Sequence, residues 1–201
     1  MRSPVVPVVV LALIAVPLFG QSNDVAVWIG SSRVGTTNTV GTDIHFDRGN
    51  AFGVSLNHFF SHHYSAEVGV FSLRHDGTLR IGGVDAFDIG KLKMTALTGM
   101  LQWHAERWHP LDPYIGGGLA YVRSNDIHSA DLENAGVGTV NVESRIGWCA
   151  VLGASYTVRK PLAVAAEARY IGYRPQSGPR DNRVRLQLSP LVYSLGLRWR
   201  F

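Results

Sequence analysis

Cysteine, basic runs and long apolar runs are scarce in this 201-residue chain, and each scarcity narrows the choice of protein class. Cys149 is the only cysteine, so the chain cannot form an internal disulfide and its fold must hold by backbone pairing and packing. The formal net charge is +4, but the arginines are spread out, which argues against a nucleic-acid-binding protein. After residue 20 no stretch suits a transmembrane helix, which excludes an ordinary helical membrane protein.

The one long apolar run lies at the N-terminus. Arg2 is followed by apolar residues from Val5 to Phe19 and then by Gly20. A positive start, a short apolar core and a small residue at its end are typical of a secretory signal peptide. We therefore predict a signal peptide over residues 1–20 and one mature domain over residues 21–201. The alternative is an uncleaved N-terminal anchor, although the run is shorter than the roughly 20 residues of a spanning helix.

The closing stretch, residues 191–201, alternates bulky apolar residues with small or charged ones. Its apolar face carries Tyr193, Leu195, Leu197, Trp199 and Phe201. The opposite face carries small residues and ends in charged ones. This combination is typical of the last strand of an outer-membrane barrel, in which the apolar face contacts lipid. We expect the five apolar residues to be the signal that the barrel-assembly machinery recognises.

The rest of the mature chain divides into strand-like segments and polar connections. The predicted strands span residues 24–30, 50–60, 64–74, 92–104, 113–123, 144–157, 162–173 and 191–201. Long connections at residues 31–49, 75–91, 124–143 and 174–183 alternate with short turns. Outer-membrane barrels have short periplasmic turns and longer extracellular loops. The sequence therefore predicts an all-β protein of the bacterial outer membrane, an eight-stranded antiparallel up-and-down transmembrane β-barrel.

A soluble barrel of the lipocalin type is the main alternative fold, because it also has eight strands. Its inward face should be apolar, whereas here the face opposite the continuous apolar one is hydrophilic. That face carries Asn57, Glu67, Gln102, Glu167, Arg169, Arg198 and Arg200. Such side chains would not fill a soluble core, since each buried charge costs several kcal/mol unless it is paired. We therefore expect them to line the lumen of a barrel whose apolar face is turned to lipid.

Three stretches make the chain resemble the OmpW family of small outer-membrane β-barrels. They are LSPLVY at 188–193, leading to the terminal Arg200 and Phe201; PYIGGGLAY at 113–121, after MLQWH at 100–104; and residues 57–67. The resemblance covers roughly the whole mature chain, and the wider OmpA-like superfamily is the nearest alternative. It implies a narrow, largely apolar lumen that passes small hydrophobic molecules sideways into the membrane. The family's Pro-Pro pair at the start of strand four is absent, and Lys93 and Met94 occupy that region.

The inward polar side chains lie mostly toward the periplasmic end. We predict a lumen charge cluster that consists of Glu67, Gln102, Glu167, Arg169, Arg198 and Arg200. Eight strands enclose a lumen just wide enough for side chains to fill. The two glutamates are therefore expected to pair with the three arginines in an ion-pair plug. The alternative is a charged selectivity constriction that conducts.

The remaining aromatic, histidine and cysteine residues have simpler interpretations. Two aromatic belts are predicted, one near the short turns (Phe60, Trp103, Tyr156, Trp199 and Phe201) and one near the long loops (Tyr121, Trp148 and Tyr170). The histidines His45, His58, His62 and His63 have no zinc-site spacing and are expected to be exposed turn residues. Cys149 is expected to fill the lumen, with an intermolecular disulfide as the alternative. No catalytic pattern stands out, so we predict a protein that is not an enzyme and has no metal or cofactor.

The predicted function is the passage of small hydrophobic solutes across or into the outer membrane. The second hypothesis is a non-conducting envelope scaffold or surface-binding barrel whose long extracellular loops bind a partner. The expected partners are outer-membrane lipid, lipopolysaccharide, the barrel-assembly machinery and small hydrophobic molecules, but not nucleic acid. Lipopolysaccharide is included because its phosphates suit a mildly positive protein.

Overall fold

The fold is described by a computed structural model for most of the mature chain. The described residues are 23–35, 37–39, 42–81, 84–105, 110–125, 143–173, 176–177, 184–185 and 188–201. The predicted signal peptide lies outside them, as do large parts of the connections predicted at 124–143 and 174–183. Among these described ranges there is no helix with the length and hydropathy needed to cross a bilayer.

Eight long strands form the wall of a closed antiparallel barrel. In chain order the strands are β1 (Asn23–Arg33), β2 (Thr37–Thr39), β3 (Thr42–Phe46), β4 (Gly49–Phe59), β5 (Tyr64–Ile81), β6 (Val84–His104), β7 (Leu111–Ser124), β8 (Arg145–Arg159), β9 (Leu162–Gly172), β10 (Gln176–Ser177), β11 (Val184–Arg185) and β12 (Leu191–Arg200). Each long strand pairs with the next long strand along the chain, and β12 pairs with β1. This order confirms the predicted up-and-down topology.

Alternation along each strand decides which side chains face the lumen. On β12, Ser194 and Arg198 are buried, whereas the intervening apolar side chains are exposed. Successive side chains of a strand point to opposite faces of the sheet. The outward face carries large apolar residues that are 63–71% exposed, among them Ile29, Leu101, Leu119, Ile146 and Leu195. The apolar face is therefore turned outward, as predicted for a barrel in lipid.

The β5–β6 hairpin is longer than predicted, because much of the expected loop at 75–91 is paired strand. Pairing continues to Ile81 and Val84, with two register shifts on the way. A register shift of this kind adds an unpaired residue and bends the strand. Gly90, at φ 97°, has a left-handed conformation that favours glycine. β3 pairs with the same extension, so part of the loop predicted at 31–49 is strand as well. The Gly and Asp residues that suggested loops are depleted in strands and concealed this extension.

Candidate functional site

Arg169 joins two opposite walls of the barrel. It lies on β9, and in the ring of strands β9 stands opposite β5, which carries Glu67. The Nη2 of Arg169 donates to Glu67 Oε1 at 2.8 Å, and its Nε donates to Glu167 Oε1 at 3.0 Å. All three charged side chains are 0% exposed. A buried guanidinium is thus compensated by two carboxylates, one on the facing wall and one on its own strand.

Neighbouring polar groups complete this network. The Nε2 of Gln102 donates to Glu67 Oε2 at 3.1 Å, and the hydroxyl of Tyr114 donates to Glu167 Oε2 at 3.2 Å. The Nη1 of Arg169 donates to the hydroxyl of Thr98 at 3.1 Å. These contacts link β5, β6, β7 and β9 across one level of the lumen. We name this level the lumen barrier; it consists of Glu67, Thr98, Gln102, Tyr114, Glu167 and Arg169.

Glycines on the inner wall make room for the aromatic rings that contact the arginines. The ring–glycine neighbours are Trp28 with Gly196, Phe71 with Gly53, and Tyr114 with Gly153. A Cβ atom at any of these glycines would collide with the ring. Phe71 lies 4.1 Å from Arg169, and Tyr114 lies 4.7 Å from Arg198, each measured from Cζ to the ring centroid. Both distances suit cation–π attraction in a poorly solvated lumen.

A second charged group lies between the lumen barrier and the periplasmic mouth. Arg198 Nη1 is 3.6 Å and Arg200 Nη2 is 3.9 Å from Asp24 Oδ2. The Asp24 and Arg198 side chains are each 1% exposed, whereas that of Arg200 is 40% exposed and lies at the mouth. These two arginines thus lie beside Asp24, and not beside the glutamates as the sequence suggested. Asp24 has the same inward parity on β1 as Trp28, and this parity could have identified it in the sequence as a lumen residue.

Ser65, His104 and Asp112 form a chain of hydrogen bonds near the same end. His104 Nε2 is 2.9 Å from Ser65 Oγ, and its Nδ1 is 2.9 Å from Asp112 Oδ2. The order matches that of a serine-hydrolase triad, which the sequence analysis did not identify. However, Ser65 is fully buried, and Phe59 and Tyr114 pack on the His104 ring with centroids 4.8 and 5.3 Å away. The two hydrogen bonds and the two packed rings hold His104 in place.

The extracellular half of the lumen is apolar. Its members are 0–1% exposed: Leu73, Leu92, Met94, Val122, Ile171, Leu188 and Val192. We name this group the apolar chamber. At its outer end a hydrogen bond of 2.8 Å joins Ser32 Oγ and His75 Nε2, and the Tyr173 hydroxyl donates to the Glu143 carbonyl at 2.6 Å. Leu188 comes from the segment before β12 rather than from a strand, so sequence alternation could not identify it.

The predicted aromatic belts and the C-terminal set lie on the outer surface. Phe60, Trp103, Tyr156, Trp199 and Phe201 near the short turns, and Tyr121 and Trp148 near the long loops, are 46–57% exposed. Tyr170 is half-buried and packs against Trp148 with centroids 4.9 Å apart. Tyr193, Leu195 and Leu197 are exposed on β12 together with Trp199. Recognition of this strand by the assembly machinery stays a prediction.

His58 and His63 make hydrogen bonds within the barrel, and the cysteine is buried. His62 and His63 lie in the exposed turn after β4, as predicted, and His63 Nδ1 lies 3.0 Å from the His104 carbonyl oxygen. For His58 the prediction of an exposed turn residue is wrong, because it lies on β4, is half-buried and has its Nδ1 2.7 Å from Asn23 Oδ1. The side chain of His45 lies outside the described residues. Where side chains are described, no group of three or more His, Cys, Asp or Glu could hold a metal ion. Cys149 is buried on the inward face of β8.

Comparison with known proteins agrees with this architecture. A sequence model of the OmpW family matches residues 20–201. The outer membrane protein OprG from Pseudomonas aeruginosa is similar at 17% identity with a TM-score of 0.73, over 90% of this chain and 96% of that one. The outer membrane protein AlkL in DMPC bilayers is similar at 18% identity with a TM-score of 0.60, over 92% and 93%.

Neisserial surface protein A is similar at 15% identity with a TM-score of 0.56, over 90% of this chain and 97% of that one. At such identities the similarity to solved structures shows the fold alone. A comparison with curated protein sequences found no match. The family match confirms the resemblance that the sequence suggested.

Proposed function

Because the chain belongs to the OmpW family of outer-membrane β-barrels, we propose that it passes small hydrophobic solutes from the cell exterior into the bacterial outer membrane. One observation carries the proposal: an apolar chamber on the extracellular side ends at a fully buried lumen barrier. The chamber offers apolar contacts to a solute that arrives from outside. The barrier separates that solute from the periplasm, so the membrane is the remaining destination.

The energy needed to open the lumen barrier supports this direction of transport. A solute that moved toward the periplasm would have to separate Arg169 from Glu67 and Glu167. Breaking a buried ion pair by removing one partner costs about 3–5 kcal/mol. A penalty of that size slows passage by roughly two to four orders of magnitude. Transport straight through the lumen is therefore the slower route.

Access to the apolar chamber depends on Leu188. The other aliphatic members of the chamber lie on strands of the wall, which are hydrogen-bonded to both neighbours. Leu188 belongs to a short segment that is held by two hydrogen bonds. The Ile171 amide on β9 donates to the Pro190 carbonyl at 3.0 Å, and the Ser189 hydroxyl donates to the Tyr173 carbonyl at 3.3 Å. Moving this segment opens the chamber without breaking the barrel. We therefore assign Leu188 the role of an apolar cover.

Uptake measurements test the proposal. A strain lacking the protein is complemented with the wild type, with Leu188→Glu, or with Leu188→Met as the matched apolar control of similar size. We expect the wild type and the control to accelerate uptake of a fluorescent hydrophobic solute, and Leu188→Glu to reduce it by placing a charge at the chamber. Equal uptake with and without the wild-type protein, with the barrel folded in the membrane, would contradict solute passage.

The complete burial of both halves of the lumen also favours a second candidate function. A barrel filled by its own side chains can act as a non-conducting scaffold whose extracellular loops bind a partner. Replacing residues 126–142 with a short turn separates the two functions. Lost partner binding with unchanged solute uptake favours the scaffold, and lost uptake favours transport. Steady conductance in planar bilayers would contradict both, because it requires an open lumen.

A further inference from the structure

Three exposed cations lie on three neighbouring strands of the outer wall, near its extracellular end. Arg74 on β5, Lys93 on β6 and Arg123 on β7 all have the outward parity and are exposed. The register places Arg74 directly opposite Lys93, and it places Arg123 opposite Thr95, which is the next outward residue after Lys93. The three side chains are therefore lateral or diagonal neighbours. We name them the cation band.

The pairing within the cation band is unfavourable without a counter-ion. Like charges directly opposite each other on a sheet are destabilising, and the cross-strand partner of Arg74 on β6 is another cation. Its partner on β4 is the neutral Asn50, and the residue opposite Arg123 is the neutral Thr95. The next outward residue on β5, Asp76, is a carboxylate, but it stands directly opposite another exposed cation, Lys91. An anion with several oxygens can contact all three cations at once, and a phosphate group has that geometry.

An apolar surface lies directly toward the membrane from the cation band. The outward line on β6 runs from Lys93 through Thr95 and Leu97 to Gly99. On the adjacent strands Val70 and Tyr121 are exposed at the level of Leu97. A Cβ atom built on Gly99 would meet nothing within 4 Å, so the wall is recessed there. The surface thus offers cations above and an apolar recess below, which suits an amphipathic ligand.

The strands on the other side of the barrel have a different character. There the outward positions near the extracellular ends of β8, β9 and β12 carry Trp148, Tyr170 and Tyr193. Aromatic rings at an interface anchor a barrel among lipids of any headgroup. The outward cations are therefore concentrated on β5, β6 and β7, and Arg33 at the extracellular end of β1 is a further exposed cation outside the cation band.

We propose that the cation band binds the phosphate groups of a phosphorylated glycolipid of the outer leaflet, which is lipopolysaccharide. Its acyl chains then lie along Val70 and Leu97 and in the recess at Gly99. This site rests on the outer-membrane location and not on the passage of solutes. It uses the outer wall, whereas solute passage uses the lumen, so either proposal can fail without the other.

Lipid binding by the purified mature protein tests the site. The folded protein in detergent is titrated with lipid A that carries its phosphates and with enzymatically dephosphorylated lipid A. We expect the variant R74Q/K93Q/R123Q to bind phosphorylated lipid A about a hundredfold more weakly, because each of the three cations near an anionic surface raises the affinity roughly fivefold. The variant R159Q/K160Q removes exposed cations at a periplasmic turn and is expected to bind like the wild type.

The remaining arms of the experiment identify the ligand. Dephosphorylated lipid A should bind the wild type as weakly as phosphorylated lipid A binds the triple variant. Gly99→Leu should weaken binding severalfold by filling the recess, and the open space at that position allows it to fold. Millimolar inorganic phosphate should not compete, because it lacks acyl chains. Undiminished binding by the triple variant, undiminished binding of dephosphorylated lipid A, or full competition by phosphate would each overturn the proposal.

Discussion

The two halves of the lumen are filled by the same strands but in opposite ways. Toward the periplasm Arg169 is held by Glu67 and Glu167 through hydrogen bonds with fixed geometry. Toward the exterior, Leu73, Met94 and their apolar neighbours are buried in the lumen by packing alone, without hydrogen bonds between their side chains. Separating one buried charge from its partners is costly, whereas apolar side chains can repack when one of them moves. The lower half is thus suited to exclude solutes, and the upper half is suited to admit them.

The largest effect is expected from Arg169→Met, because it leaves two buried carboxylates without their cation. The substitution should lower the free energy of unfolding by about 3–5 kcal/mol. Urea titration of the protein in lipid vesicles, followed by tryptophan fluorescence, measures the change. The matched control is Arg159→Met on the exposed end of β8, which should be nearly neutral. Equal stability of Arg169→Met and the wild type would show that the lumen barrier does not hold the two walls together.

Neutralising the whole group sharpens this prediction. The variant E67Q/E167Q/R169M replaces every charge of the lumen barrier with a neutral group of similar size. A buried ion pair replaced by neutral partners is often no less stable than the original. We therefore expect it to recover most of the stability that Arg169→Met loses. If it is as unstable as Arg169→Met, the loss comes from packing against Phe71 and not from the uncompensated charges.

The second largest effect is expected in the apolar chamber. Leu73→Ala removes part of a fully buried side chain and should lower the free energy of unfolding by about 2–4 kcal/mol. Unlike Arg169→Met, it should also accelerate hydrophobic uptake, because the cavity gives a solute room. The control is Leu97→Ala on the outward face, which leaves the chamber intact. Slower uptake with Leu73→Ala would contradict the role of the chamber.

A smaller effect is expected from Asp24→Asn below the lumen barrier. It removes the carboxylate near Arg198 and Arg200, but both separations exceed ordinary hydrogen-bond length. We expect a loss of about 1–3 kcal/mol, measured by the same urea titration. In the double variant with Arg198→Met the loss should be less than the sum of the two single losses. Additive losses would show that the two side chains do not interact.

The smallest effect is expected from Ser32→Ala at the outer end of the chamber. It removes one neutral hydrogen bond to His75 and should cost about 0.5–1.5 kcal/mol. Ser194→Ala provides the comparison in the lower half, since its hydroxyl donates to the carboxylate of Glu167 at 3.4 Å. A hydrogen bond to a charged group contributes more than a neutral one. A larger loss at Ser32 than at Ser194 would contradict the contrast between the two halves.

The barrel and its outward face were predictable from local pattern, because alternation and connection length act within a few residues. The partners across the lumen were not, since the contact between Glu67 and Arg169 depends on which strands stand opposite after the barrel closes. The inward parity of Glu67 and Arg169 was visible in the sequence, whereas the pairing of Arg198 with Asp24 was not. Leu188 could not be assigned to the chamber, because it lies outside the strands and follows no periodicity.

The contact of Arg169 with Glu67 also has a mechanical consequence. A thin-walled tube under lateral compression first becomes elliptical, and hydrogen bonds between adjacent strands resist such ovalisation only weakly. A link that joins β9 to the facing β5 acts across the diameter and opposes any separation of those two walls. The ion pair is therefore a cross-tie that restrains the distance between β5 and β9 across the lumen.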